Sequence, residues 1–300
     1  MALAGAGALL HLNGNRIVQF PYRPANPTRL SPSSYNKAMM VMNQSYWDSI
    51  HADVETHLRE AIHVRPPLSV YEPMHHLALE TPQNTAPALC AAACELVGGH
   101  RDQAMAAAAA LHLMHAATYT HGHLPLTDRS KPMITHHAYG PNIELLIGDA
   151  IIPFGFELLS MSDDSARDIS DRVLRVIIEI ARVTGSQGII SGQYHEIQYD
   201  ESKNNHDLEL IKRISEKKEG ELHECGAKCG AILGGGNEDE VEKLRKFGFY
   251  VGMVKGMLHR GDKSDEILMR EVEELKSLAL DQLTGFNATK VEAFANLVGS

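Results

Sequence analysis

Three things are scarce in this chain of 300 residues: cysteine, uninterrupted apolar sequence and, before Asp48, negative charge. Four cysteines in so long a chain do not make a disulfide-stapled secreted scaffold. No run of 18 apolar residues occurs, because Glu144 and Asp149 interrupt the best candidate, so no membrane span is expected. A net charge of −10 argues against a nucleic-acid partner. What is abundant is apolar side chain, 44% of the whole, enough for one large core or two smaller ones.

The acid-free start carries Arg16, Arg23, Arg29 and Lys37 together with Thr28, Ser31, Ser33 and Ser34. Basic, hydroxyl-bearing and without carboxylates, it has the composition of an organellar transit peptide. Pro21, Pro24, Pro27 and Pro32 argue against a long helix there. Residues 1–45 are therefore expected to be a disordered leader, with a single all-helical domain over 46–300.

From Tyr46 onward the pattern is helical. Ala104 to Tyr119 is alanine-rich and almost free of β-branched residues, which favours a helix and close backbone approach. Val173, Val176, Ile177 and Ile180 recur at helical spacing, and Leu174, Ile178 and Ala181 make the opposite side apolar, which predicts a central helix. Leu268, Val272, Leu275 and Ala279 mark a helix near the C-terminus, with Glu271, Glu273, Glu274 and Lys276 turned to solvent. Gly185, Gly220, Gly234 to Gly236 and Gly285 are expected to end helices or to allow close contacts.

Candidate chemistry concentrates in four places. His121-Gly122-His123-Leu124-Pro125 is followed by Asp128, and then by Arg129-Ser130-Lys131-Pro132. Met74 to Cys90 contains Pro82-Gln83-Asn84. Gly192-Gln193 and Lys218 come later, and the run Lys255-Gly256-Met257-Leu258-His259-Arg260-Gly261-Asp262-Lys263 follows. Gly148-Asp149-Ala150 and Phe154-Gly155-Phe156-Glu157 lie between the first and third. These segments, in this order, resemble the motifs of the all-helical trans-prenyltransferases. In that family two aspartate-rich motifs share Mg²⁺ with substrate diphosphates, as clustered oxygen ligands must.

The resemblance is specific in what is missing. Gly122 and His123 stand where the first motif has paired aspartates, and only Asp128 matches one of its metal ligands. His259 and Arg260, followed by Lys263, stand where the second motif has its carboxylates, so the site is expected to repel cations. Pro82-Gln83-Asn84 takes the place of a Lys-Arg grip on the homoallylic diphosphate. Arg129, Lys218 and Gln193 match positions that contact diphosphate and are residual contacts at most.

This pattern, over residues 46 to 300, resembles the non-catalytic small-subunit branch of the plant heteromeric geranyl diphosphate synthases. The resemblance implies an isoprenoid-synthase-type helical bundle around a central cavity. It implies a regulatory subunit, inactive as an isolated chain, with no catalytic residue, no metal and no cofactor of its own. Mg²⁺ is expected in the catalytic partner, a geranylgeranyl diphosphate synthase-like large subunit, in a heterodimer or heterotetramer in the plastid stroma. The expected effect is a product shortened to ten carbons for monoterpene synthesis. The alternatives are a low-activity prenyltransferase using Lys218, Arg129 and Asp128, or a subunit that raises geranylgeranyl diphosphate output.

The four cysteines form two pairs, Cys90 with Cys94 and Cys225 with Cys229, each at i and i+4 so that both sulfurs share a helix face. Cysteine is often simply a small buried residue. Both pairs nevertheless have the Cys-(x)3-Cys form associated in this branch with binding the large subunit, which makes them candidate partner contacts. A disulfide within either pair is not expected, because one helical turn does not supply the Cβ geometry. The 17 histidines include His75-His76, His121, His123 and His136-His137, but none has the His-Glu-(x)2-His spacing of a zinc enzyme. A site joining His223, Cys225 and Cys229 lacks an evident fourth ligand.

Overall fold

The structure, a computed structural model, describes residues 32–125, 138–163, 169–201 and 207–299. The chain divides into two compact units, Met1–Ala38 and Met39–Ser300. Of the first unit, only the start of helix α1 (Pro32–Ala61) lies among the described residues. Helix therefore covers 32–45, and the expected boundary at 45/46 falls inside α1. Proline is tolerated at the first helical position, where its missing N–H forfeits no intrahelical bond, so Pro32 opens this helix instead of excluding it. Residues 1–31, with the other three prolines, lie outside the described residues.

In the second unit, helix follows helix and no strand occurs among the described residues. Trp47, Ile50, Val54 and Leu58 form the buried stripe of α1. The chain then builds α2 (Leu68–Glu80), α3 (Thr85–Leu96) and, after a 3₁₀ turn at Arg101–Ala104, α4 (Met105–His123). Asn84 starts α3 by accepting the Ala86 N–H at 2.8 Å. The alanine run of α4 is buried on every side, as its composition predicts. Next come α5 (Pro141–Met161), α6 (Ser170–Thr184) and α7 (Ile189–Glu201).

The inference that α6 is central is corrected. Val173, Val176, Ile180 and Val183 are buried, but Leu174 is 56% and Ile178 49% exposed, and Ala181 is exposed as well. An apolar outer face marks a buried helix only when something covers it, and none of the described residues does.

A single helical path then runs through α8 (Leu208–Ser215), a π-helical turn at Glu216–Gly220 and α9 (Glu221–Gly234). Gly220 does not end a helix. A Cβ there would stand 3.2 Å from the Phe249 ring, so its place is a close contact. The true stop is Gly235, with φ of +80°, the left-handed conformation glycine adopts without strain. α10 (Glu238–Arg260) opens with a reciprocal cap, Asn237 accepting from Glu240 N–H at 3.0 Å while the Glu240 carboxylate accepts from Asn237 N–H at 2.8 Å. α11 (Glu266–Asp281) buries Leu268, Val272 and Ala279 as expected, and α12 (Ala288–Gly299) closes the chain. There Phe294 packs against Trp47 and Phe247, and the Trp47 indole N–H donates to the Ala293 carbonyl at 3.2 Å.

Two glycine ridges set the spacing of the centre. On α9, Gly226, Gly230 and Gly234 face Ala86, Cys90 and Cys94 of α3. A Cβ on these glycines would lie 2.5, 1.9 and 2.6 Å from the carbonyl oxygens of Ala86, Cys90 and Cys94 respectively. On α10, Gly248, Gly252 and Gly256 face the other side of the same path, with the carbonyls of His223 and Glu219 only 2.3 Å from where Cβ atoms of the first two would be. No side chain larger than hydrogen fits at these positions without moving a backbone. α9 is thus clamped between α3 and α10, and its polar residues are held where they face a cavity.

Candidate functional site

A cavity of about 730 Å³ gathers the segments singled out in the sequence. Gly122 and His123 reach it from the end of α4, Pro82, Gln83 and Asn84 from the turn before α3, and Gln193 from α7. Lys218 comes from the π turn, and His259 and Arg260 from the end of α10. Lys263 does not belong to it and is exposed beyond α10. Asp128 and Arg129 lie outside the described residues.

The substitutions have different local characters. A Cβ on Gly122 would meet the Gln193 side chain at 3.7 Å, an ordinary contact, so the missing carboxylate at that position is a chemical loss and not a steric one. His123 folds back on its own helix, its Nδ1 donating to the Tyr119 carbonyl at 2.7 Å and its ring 3.9 Å from the Tyr119 ring. A part-buried ion-pair network holds Arg260. Its guanidinium donates to Glu219 Oε2 at 2.8 Å and Oε1 at 3.1 Å, and to Glu196 Oε1 at 3.0 Å. Lys218 Nζ pairs with the other oxygen of Glu196.

Burial pushes the Glu196 carboxyl upward, but Lys218 and Arg260 outweigh it and hold its pKa below the usual carboxylate value. Arg260 thus does not present a free positive charge that repels cations, as expected from the sequence. It sits as an internal counter-ion between two carboxylates. Lys218 is likewise committed and is not an open diphosphate grip.

Two histidines of the wall are neutral: burial lowers the pKa of His115 and of His223 to about 4, so both are uncharged at pH 7. Burial also lowers the pKa of His112, which lines a neighbouring cavity. Each ring places one nitrogen against a backbone carbonyl: His112 Nε2 against Ala78 at 2.6 Å, His115 Nε2 against Pro82 at 3.2 Å, and His223 Nδ1 against Glu219 at 2.8 Å. Lys255 also lines the cavity. Burial lowers its pKa, and it forms no hydrogen bond or ion pair among the described residues.

Mg²⁺ does not fit this donor set. The carboxylates of Glu196 and Glu219 are taken up by cationic side chains, and the described residues contain no cluster of three or more His, Cys, Asp or Glu able to hold a metal ion. Nor does His223 join Cys225 and Cys229 in such a cluster.

All four thiols are buried in the chain, and Cys225 also lines an open cavity with Glu179, Lys217 and Lys228. Cys90 and Cys94 are the small-residue ridge of α3 that receives the glycines of α9. Cys225 and Cys229 lie 3.7 Å apart, sulfur to sulfur, on α9 itself. Burial pushes the Cys94 thiol up to about 12 and the Cys90 thiol well above its usual value, so both stay protonated.

Sequence reasoning missed Glu196, Glu219 and His115, and it named His223 and Lys255 without giving either a place in this cavity. Glu196 lies one turn after Gln193, and Glu219 adjoins Lys218, but nothing local shows that both carboxylates converge on Arg260. The glycine spacing 226, 230, 234 was legible and signals a helix seam.

With this geometry in view, comparison with known proteins defines the class. The family model for polyprenyl synthetase matches residues 68–254, and the chain belongs to that family. Within it, the chain is 54% identical over 261 residues to the Cannabis sativa heterodimeric geranylgeranyl pyrophosphate synthase small subunit 2, chloroplastic, covering 85% of this chain and 91% of that one. Among solved structures it is similar to the geranyl diphosphate synthase small subunit from Antirrhinum majus, with 52% identity, TM-score 0.79 and coverage of 86% and 99%. It is also similar to a chain of a mint deletion mutant of heterotetrameric geranyl pyrophosphate synthase in complex with ligands, with 50% identity, TM-score 0.77 and coverage of 85% and 99%. The all-helical isoprenoid-synthase fold implied by the motifs is the fold observed.

Proposed function

We propose that this chain is the non-catalytic small subunit of a plastid heteromeric prenyl diphosphate synthase, and that it directs a geranylgeranyl diphosphate synthase-like large subunit toward the ten-carbon product. The observation that carries this reading is Arg260, bound between Glu196 and Glu219 in the cavity where the family gathers Mg²⁺. Ionising an allylic diphosphate requires cationic stabilisation of the leaving group as its charge develops. A guanidinium already neutralised by two carboxylates supplies little of it. Mg²⁺ and the chemistry belong to the large subunit.

The contact is assigned to the exposed apolar residues Leu145 and Leu146 of α5 and Leu174 and Ile178 of α6. Burying such residues against a partner stabilises by about 25 cal/mol per Å² of apolar surface. The small subunit contributes shape at this contact, narrowing or stiffening the partner's elongation cavity so that the shorter product leaves first.

The test is a product assay with isopentenyl and dimethylallyl diphosphates, using this chain alone, a plastid geranylgeranyl diphosphate synthase alone, and both co-expressed. Silence alone with geranyl diphosphate from the mixture is expected. Turnover by the isolated chain overturns the reading. A second reading, favoured by the name of the Cannabis sativa relative, is that the pair makes more geranylgeranyl diphosphate. The ratio of ten- to twenty-carbon product separates the two. Leu174→Glu with Ile178→Glu should abolish co-purification and the product shift together.

A further inference from the structure

One amine of this cavity stands apart. Lys255, on α10, is half-buried, lines the cavity and has neither a hydrogen bond nor an ion pair among the described residues. Of the other lysines whose side chains are described, Lys290 donates to the Glu95 carbonyl, Lys263 is exposed, and the rest lie within ion-pair distance of a carboxylate. Sealed side-chain nitrogens and oxygens without a partner occur among the described residues at Asn43, Gln193, Ser215 and His223. The Lys255 ammonium is not one of them, so it reaches the open volume. Its charge is felt by His51 of α1 and His223 of α9, and burial lowers the pKa of both rings. No described carboxylate holds its proton.

An ammonium in that position is satisfied either by an anion or by giving up its proton and offering the nitrogen lone pair. The lining does little for an anion. Lys218 and Arg260 are paired with Glu196 and Glu219, and Asp200 adds a further carboxylate to the same wall. The surroundings favour the second course, because burial lowers the Lys255 pKa and so raises the fraction of free amine at neutral pH. A desolvated lysine amine in a cleft is a nucleophile toward carbonyl carbon. Since the paired charges of the wall cancel, an uncharged carbonyl compound meets less electrostatic cost there than an anionic one. The volume of about 730 Å³ lies in the range of small-molecule pockets and leaves room for such a compound beside Ile189 and Leu222.

We propose that Lys255 is a covalent site for a neutral aldehyde, which it holds as an imine. The nitrogen lone pair forms a bond to the carbonyl carbon, the carbonyl π pair moves to oxygen, and the resulting carbinolamine loses water as the C=N bond forms. One amine and one aldehyde give one imine and one water, so no oxidant or reductant takes part. The site is independent of the product assay, because neither the Arg260 network nor the partner contact uses Lys255.

Reductive trapping on the full chain tests it. The protein is mixed at neutral pH with a limiting amount of hexanal, sodium cyanoborohydride fixes each imine as a secondary amine, and peptide mass spectrometry locates the added alkyl group. Lys255 should be labelled several-fold more than Lys263, which is exposed and equally without a partner among the described residues. Glyoxylate, an aldehyde that carries a carboxylate, should label Lys255 less than hexanal does. In urea that unfolds the chain, the preference for Lys255 should disappear, since the cavity and not the neighbouring sequence creates it. Equal labelling of Lys255 and Lys263 in the folded protein, an unlabelled Lys255, a preference for glyoxylate, or a preference for Lys255 that survives unfolding overturns the proposal. Each of these outcomes leaves the non-catalytic reading and its product assay untouched.

Discussion

α9 has two kinds of neighbour, and they behave oppositely. Toward α3 and the first half of α10 it meets backbone through glycine, with almost no side chain between. Toward the cavity it presents Leu222 and His223, beside a network of charges that closes on itself. In the seam, a bare Cα surface at Gly226, Gly230 and Gly234 governs the geometry, and the bordering residues can be anything small, cysteine included. In the cavity the family's helical frame carries the ion pairs of Lys218, Glu196, Glu219 and Arg260. The seam is governed by shape, and the cavity by the type of donor each position carries.

The sharpest way to break this comparison is at the seam. Gly230→Val places side-chain atoms where a Cβ already stands 1.9 Å from the Cys90 carbonyl, so α3 and α9 must separate. A loss of about 3 kcal/mol or more is expected by chemical denaturation. On the cavity side, Arg260→Leu strands Glu219, leaves Glu196 with Lys218 alone, and should cost about 2 kcal/mol. Adding Glu219→Gln should recover part of it, and an additive loss in that double-mutant cycle refutes the network. Whichever variant folds should remain silent in the prenyl-transfer assay.

Acid should weaken the cavity wall as well. His115 and His223 have folded pKa values of about 4, so between that pH and 6.5 the unfolded chain binds more protons than the folded one, and stability falls as pH falls. Lowering the pH from 6.5 to 5.5 should cost about 1 kcal/mol per histidine. Glu196, with its lowered pKa, adds to the loss only below the ordinary carboxylate range. Thermal midpoints across pH 7 to 5 measure this, and a midpoint that does not move with pH contradicts the burial of these rings. The smallest effect is expected for Cys90→Ala, a loss of about 1 kcal/mol with co-purification of the large subunit unchanged. Loss of the partner at full stability would restore a direct role for the thiol.

The helices of the centre and C-terminus were legible because their apolar spacing or alanine content leaves no alternative. Ala104–Tyr119 and Leu268–Ala279 both fall where they were expected. The face of α6 was misread, since periodicity shows which residues are apolar and not what covers them. Prolines misled at Pro32 because their effect depends on position within the helix. At the site, the residue types at 122, 123, 259 and 260 pointed to replaced aspartate motifs. They could not show that Arg260 would be neutralised by Glu196 and Glu219, which lie 64 and 41 residues away.

By itself, then, the sequence determined the helical class, the family frame and the absence of paired aspartates at two points, because these are properties of local spacing and residue type. Only the tertiary structure decided that the four cysteines are buried among the packed helices. It also decided that the replacing arginine is an internal counter-ion. Each of these depends on which helices meet, and at what distance, which glycine and backbone sterics settle far along the chain from the residues concerned.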